Sequence, residues 1–232
     1  MKNKIFICLS ILSIVILSCC ILVGCSKNIS TEYDIVKTTK MQNFELLNQS
    51  AVHNQVVFIG DSIIELYPTY ELFADKDKIV YKRGISGDTS DKMLERLNVN
   101  CLNILPETVY ILVGTNDIAK KIDHNTIISN ITKSINKCVE SGVKKVIVSG
   151  LYPVNKAIDA GMVGSRTNKE IQKLNGKIKV AVENNNAIFS DLTSVLADKE
   201  GNFNKEYTYD GLHPNAKGYE QITKAIIPMI FS

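Results

Sequence analysis

A parallel α/β sandwich is the fold class this chain predicts, and two observations predict it. From Gln55 onward, short apolar runs rich in Val, Ile, Phe and Tyr alternate with longer amphipathic runs, and polar, glycine-rich residues collect just after the apolar ones. Strands buried on both faces read as continuous apolar runs because crossover helices cover both sides of a parallel sheet. The segments expected as strands are 56–59, 79–82, 109–113, 145–149 and 187–190. Helices are expected near 65–73, 91–105, 126–141 and 167–185, with a last one after Pro214.

The chain before this domain has its own pattern. Lys2 and Lys4 precede an apolar segment, 5–23, that closes with Leu22-Val23-Gly24-Cys25, which reads as an export signal over residues 1–24. Its length also suits an uncleaved membrane anchor. The "LVGC" stretch resembles the lipobox of bacterial lipoproteins, which implies diacylglycerol on Cys25 and an extracytoplasmic, membrane-anchored protein. Two acyl chains on one residue give stable anchoring, which one does not. Residues 25–50 are polar apart from an amphipathic stretch at 41–47, and the expectation is a tether with at most a short helix. If flexible, ~25 residues reach on the order of 25–30 Å. The domain is expected to fill 51–232.

Charge and cysteines narrow the function. The formal charge of +3 becomes +1 without Lys2 and Lys4, the only charged residues before Cys25, and no basic run follows. Nucleic acid is therefore not expected as a partner. Of six cysteines only Cys101 and Cys138 fall in the domain, as buried thiols or as a pair. No Cys/His cluster with zinc spacing occurs, and no metal is expected.

In open parallel sheets ligands gather at the carboxyl ends of the strands. The links there read "GDS" (60–62), "RGISGDTS" (83–90), "GTND" (114–117) and, after the last strand, "YDGLHPN" (209–215). Ser62 or Asp61 at the first position suits a helix cap, and Ser62 equally suits a nucleophile. A serine hydroxyl needs a base and the base an orienting group. His53 precedes the first strand and His124 sits on a lysine-flanked link, where solvation is expected; His213 is on the rim. Asp210 lies three residues before it across Gly211, and Pro214 fits a first helical turn.

These four blocks, in this order, resemble the SGNH (GDSL-type) hydrolases, a family of esterases and lipases, most of all its acetylhydrolase and lysophospholipase-like branches. The resemblance implies a flavodoxin-like three-layer α/β/α sandwich with a five-stranded sheet in the order 2-1-3-4-5. It implies Ser62 as nucleophile, Asp210 and His213 as its partners, and Ser62, Gly87 and Asn116 as oxyanion donors, with no cofactor. With strand 1 between strands 2 and 3, Gly87 and Asn116 flank Ser62. The acids Asp61, Asp88 and Asp117 are expected to cap and support, since a two-metal site wants several converging histidines. Ile63, Ile64, Tyr67, Ile118 and 152–154, Tyr152 among them, are candidates for an acyl pocket or simply for core. The substrate expected is a small-molecule, lipid or glycan ester. Acyl transfer to, or deacetylation of, a cell-envelope carbohydrate on the same residues is the alternative, and a non-catalytic binding lipoprotein ranks behind it.

Overall fold

The structure is a computed structural model that describes residues 34–231, so Cys25 and the expected export signal lie outside the described residues. The chain divides into two units, Met1–Asn43 and Phe44–Ser232. Residues 34–48 are helical (α1). Part of the expected tether is thus a helix longer than the 41–47 stretch, and its last turn is fixed within the second unit. There Asn48 donates through Nδ2 to the Val99 carbonyl (2.7 Å) and accepts from Arg83 Nη2 (2.9 Å), while the Phe44 ring lies 5.0 Å from the same guanidinium. A cation on an edge strand gives this turn both its polar and its aromatic contact.

The second unit is built on β1 (Val56–Gly60), β2 (Val80–Gly84), β3 (Thr108–Leu112), β4 (Lys145–Ser149) and β5 (Ile188–Ser190), all parallel in the order β2-β1-β3-β4-β5. That is the flavodoxin-like order expected. Every residue of β1 and β3 is buried, whereas the edge strands β2 and β5 are half open. The edges are blunted by Lys82 and Arg83 on one side and by the three-residue length of β5 on the other.

Between the strands run α2 (Ser62–Glu65), α3 (Thr69–Leu72), α4 (Ser90–Asn100), a 3₁₀ turn (Leu102–Ile104), α5 (Thr115–Ala119), α6 (His124–Glu140), α7 (Ala160–Val163) and α8 (Asn168–Glu183), and after β5 come α9 (Thr193–Leu196) and α10 (Ala216–Ile230). Two expected helices are broken. The one at 65–73 divides into α2 and α3 because Pro68, which lacks an N–H to donate, stands at the start of α3. The one at 91–105 ends at Asn100 and closes as a 3₁₀ turn, with Leu105 left-handed at φ 49°. Asn215, not Pro214, starts α10: its side chain accepts from the Gly218 N–H (3.0 Å), so Pro214 stays outside the first turn and bridges to Thr208 instead.

Helices α4, α6 and α8 pack in series along the sheet. Elsewhere in the core Phe58 of β1 meets Tyr67, Phe73 and Tyr110 at ring separations of 5.4, 5.6 and 4.7 Å, and Tyr67 meets Tyr219 of α10 at 4.7 Å. Two hydroxyls then fix α10 along its axis. Tyr219 donates to the Ile63 carbonyl (2.8 Å), and Tyr67 pairs with the Thr223 hydroxyl (2.7 Å). The helix that follows His213 is therefore bonded to the helix that begins at Ser62. Cys101 and Cys138 are both buried free thiols.

Candidate active site

The two readings of "GDS" divide between its neighbours. Asp61 is the cap of α2, its Oδ1 accepting from the Ile63 N–H at 3.0 Å. Ser62 is thereby left free of capping, and its Oγ lies 2.9 Å from His213 Nε2. The other ring nitrogen, Nδ1, lies 2.7 Å from Asp210 Oδ2. Residues 151 apart in the chain meet because β5 runs out to the rim and the segment from Asp191 to Tyr209 leads back across it.

The Asp210 side chain is held from both ends. Its Oδ1 accepts the Leu212 and His213 N–H groups at 2.9 and 2.8 Å while Oδ2 faces the ring. Burial works to raise this carboxyl, but the His213 N–H, the His213 ring and the Leu212 N–H outweigh it and hold it below the ordinary carboxylate range. Asp210 is thus an anion beside the His213 ring. The turn between the two residues needs Gly211: its φ is +75°, and a Cβ there falls 2.2 Å from the Asn155 carbonyl oxygen.

Gly87 and Asn116 follow β2 and β3, the two neighbours of β1. Gly87 has φ +76°, and among the described residues neither its N–H nor that of Ser62 goes to a protein acceptor. The Asn116 amide donates one hydrogen to the Asp88 carbonyl (3.0 Å) and keeps a second. The three residues therefore offer free donors on the rim that carries the Ser62 hydroxyl.

Two arginines that the sequence reading passed over hold these loops. Arg96 is buried and pairs through Nε with Asp88 Oδ2 (2.7 Å), while Nη1 and Nη2 donate to the Arg83 and Gly60 carbonyls at 2.9 Å each. It ties the ends of β1 and β2 to the loop carrying Gly87. The signal was present, because Arg96 falls on the Met93, Leu97, Asn100 face that α4 buries. Arg166, in the link between α7 and α8, donates to Thr115 and Asn116, and nothing in "GSRTN" marks it.

The acids take the supporting places expected. Asp117 accepts the Ser90 N–H (3.0 Å) and hydroxyl (2.6 Å) at the start of α4, and Asp88 pairs with Arg96. Asp61 is fully buried, and its Oδ2 has no partner among the described residues. Burial, with Asp88 and Asp117 nearby, pushes its carboxyl up to about 7 against the pull of the Ile63 N–H and Arg166. Among the described residues no group of three or more His, Cys, Asp or Glu is placed to hold a metal ion.

The acyl-pocket candidates mostly fall elsewhere. Ile63, Ile64, Tyr67 and Tyr152 are buried core residues, since α2 turns its apolar side onto the sheet and Tyr152, in the link after β4, packs into the core. Ile118 does line a cleft of about 460 Å³ together with Lys121, His124, Ser165, Thr167 and Glu170. Val154 lines a second cleft of about 270 Å³ with Arg166 and Asn168. His124 is not solvated as expected: its side chain is 11% exposed and its Nε2 lies 2.8 Å from Glu170.

The sequence profile of the GDSL-like Lipase/Acylhydrolase family matches residues 58–221, and the chain belongs to that family. It is a carboxylic ester hydrolase of the SGNH class. It is 27% identical to the platelet-activating factor acetylhydrolase IB subunit alpha2 of Rattus norvegicus over 184 residues, 75% of each chain. An N-acylneuraminate cytidylyltransferase of Escherichia coli is 31% identical over 182 residues, 76% of this chain but only 40% of that one. Among solved structures, a Streptococcus pneumonia chain named for platelet activating factor superposes with a TM-score of 0.85 at 27% identity, covering 90% of this chain and 99% of that one. A GDSL-like lipase from Bacteroides thetaiotaomicron gives 0.69 at 26%, covering 82% and 96%.

Proposed function

We propose that this protein is a lipid-anchored, extracytoplasmic serine esterase working through Ser62, His213 and Asp210. The unbroken hydrogen-bond chain from the Ser62 hydroxyl through the His213 ring to the Asp210 carboxylate, 2.9 and 2.7 Å, carries the reading. His213 Nε2 takes the hydroxyl proton as Oγ bonds to the ester carbonyl carbon, and the carbonyl electron pair moves onto oxygen. The Ser62 and Gly87 N–H groups and the free Asn116 amide hydrogen receive that oxyanion. Its collapse expels the alkoxide, which leaves as an alcohol with the proton from His213. Water then repeats the sequence on the acyl-enzyme and restores Ser62. Asp210 holds the Nδ1–H tautomer and stabilises the imidazolium at both steps.

The substrate proposed is a short-chain acyl, acetyl or lysophospholipid-type ester. The acetylhydrolase relatives, alike over three quarters of both chains, support the small acyl group. The anchor rests on the Leu22-Val23-Gly24-Cys25 stretch behind a basic, apolar leader, with residues 1–24 removed and Cys25 acylated. The test is a fluorophosphonate probe on the purified protein beside Ser62→Ala and His213→Ala. Labelling of Ser62, weakened without His213, is the expected result. A folded protein that stays unlabelled and inactive on p-nitrophenyl acetate would refute the reading.

A further inference from the structure

We infer that Arg166 is a positioning residue for catalysis: it orients and polarises the Asn116 amide so that its free N–H meets the developing oxyanion. The inference rests on the esterase reading above. Arg166 is buried, and its guanidinium is engaged on three sides. Nε donates to the carbonyl and hydroxyl of Thr115 at 2.9 Å, Nη1 to the Met162 and Val163 carbonyls at 3.3 and 3.0 Å, and Nη2 to Asn116 Oδ1 at 3.0 Å.

The last bond decides the direction of the amide. A guanidinium has donors and no acceptor, so the Asn116 atom facing it must be the oxygen; the Asp88 carbonyl is an acceptor only, so the atom facing it must be the nitrogen. Two independent partners thus impose the same orientation, which a flip of the amide turns into two repulsive contacts. Once Asp88 has taken one amide hydrogen, a single N–H is left, and its bearing follows from the two that are fixed. Arg166 also grips Thr115, so the side chain and the backbone of the "GTND" link are held by one group.

Charge adds to geometry. A cation donating to the amide oxygen draws electron density from the nitrogen, so the remaining N–H is a stronger donor at the moment negative charge forms. No substrate atom has to touch Arg166 for this to act. The effect therefore belongs in kcat, not in substrate affinity.

The measurement is a double-mutant cycle on the full-length protein with p-nitrophenyl acetate, combining Arg166→Met and Asn116→Ala, with thermal melting of each variant. Asn116→Ala is expected to lower kcat by ~10²–10³. Arg166→Met should lower kcat by between about 10-fold and about 10²-fold with KM little changed, the scale of a misplaced catalytic group. In the double variant the loss should equal that of Asn116→Ala alone. A full multiplied loss, or a wild-type kcat in Arg166→Met, overturns the inference. If Arg166→Met does not fold, Arg166→Lys replaces it: lysine keeps the charge but cannot bridge Thr115 and Asn116 together, and an unchanged kcat there is equally decisive against it. Ser62→Ala separates the two levels. Persistent turnover in that variant refutes the esterase reading itself, whereas its loss beside independent, multiplying Arg166 and Asn116 effects refutes only the role of Arg166.

Discussion

Asp61→Asn should reverse part of the pH dependence of stability. The wild-type carboxyl is fully buried, caps α2 through Oδ1 and leaves Oδ2 without a partner among the described residues. Burial raises it from 3.8 to about 7 in the folded protein. Between those values the native state holds a proton that the unfolded chain has lost, so stability falls as pH rises and the cost is complete above pH 7. Three pH units at ~1.4 kcal/mol each give about 4 kcal/mol. Asparagine keeps the Ile63 bond and removes the charge, and its amide nitrogen is an unpartnered donor in the same place as the O–H of the protonated carboxyl. The variant is therefore expected to match wild type at pH 4 and to be more stable by about 4 kcal/mol at pH 8, a swing of that size across the range. For a domain of this size that is a swing of roughly 8–16 °C in relative Tm. Circular dichroism melts of both proteins at pH 4, 5.5, 7 and 8 measure it. A difference that stays flat across this range refutes the reasoning.

Three further outcomes follow from the same contacts. Asp210→Asn keeps the acceptor for the Leu212 and His213 N–H groups but loses the anion, so kcat on p-nitrophenyl acetate should drop by ~10⁴ with little change in Tm; a loss under about tenfold would count against the triad. Arg96→Met removes the cation that pairs with the buried Asp88 carboxylate at 2.7 Å, which should cost about 3–5 kcal/mol, read as a fall of roughly 10 °C in Tm. Gly211→Ala meets the Asn155 carbonyl and a positive φ together, and should cost on the order of 2 kcal/mol and lower kcat more than Tm alone accounts for, as paired melts and rates will reveal.

Much of this was legible in the chain because the legible parts are periodic or clustered. The apolar runs gave the five strands to within two residues at either end, most cleanly for β1, which is buried throughout and has no polar position to blur it. The candidate site residues came as blocks, "GDS", "SGDTS", "GTND" and "DGLH", because each sits on a link where backbone geometry restricts its neighbours too. What was not legible is what single side chains decide. Pro68 splitting a helix is local and readable in retrospect, but Asn215 starting α10 in place of Pro214 depends on which of two good candidates wins. Ile63 and Tyr152 suited either a pocket or the core, and the core has both: adjacent residues of a helix point to different sides, and the apolar side of α2 belongs to the core, while Tyr152 is buried from the link after β4.

The residues that hold the site illustrate a more general division. Groups that carry out the chemistry must reach a common point, and the sheet provides one by setting the ends of β2, β1 and β3 side by side. Reaching it is not enough, because links are the least constrained parts of a domain and an oxyanion donor displaced by an ångström loses most of its effect. Here each link of the candidate site is bonded by a buried polar group set back from the Ser62 hydroxyl: Asp61 for α2, Arg96 for the Gly87 loop, and Arg166 for Asn116. Arginine suits the two longer links because its donors spread over several carbonyls at once, so one side chain satisfies acceptors that different segments would otherwise bury unpaired. The cation that stabilises a link is then also the group that sets its direction, and such residues occur as isolated letters since nothing requires their neighbours to resemble them.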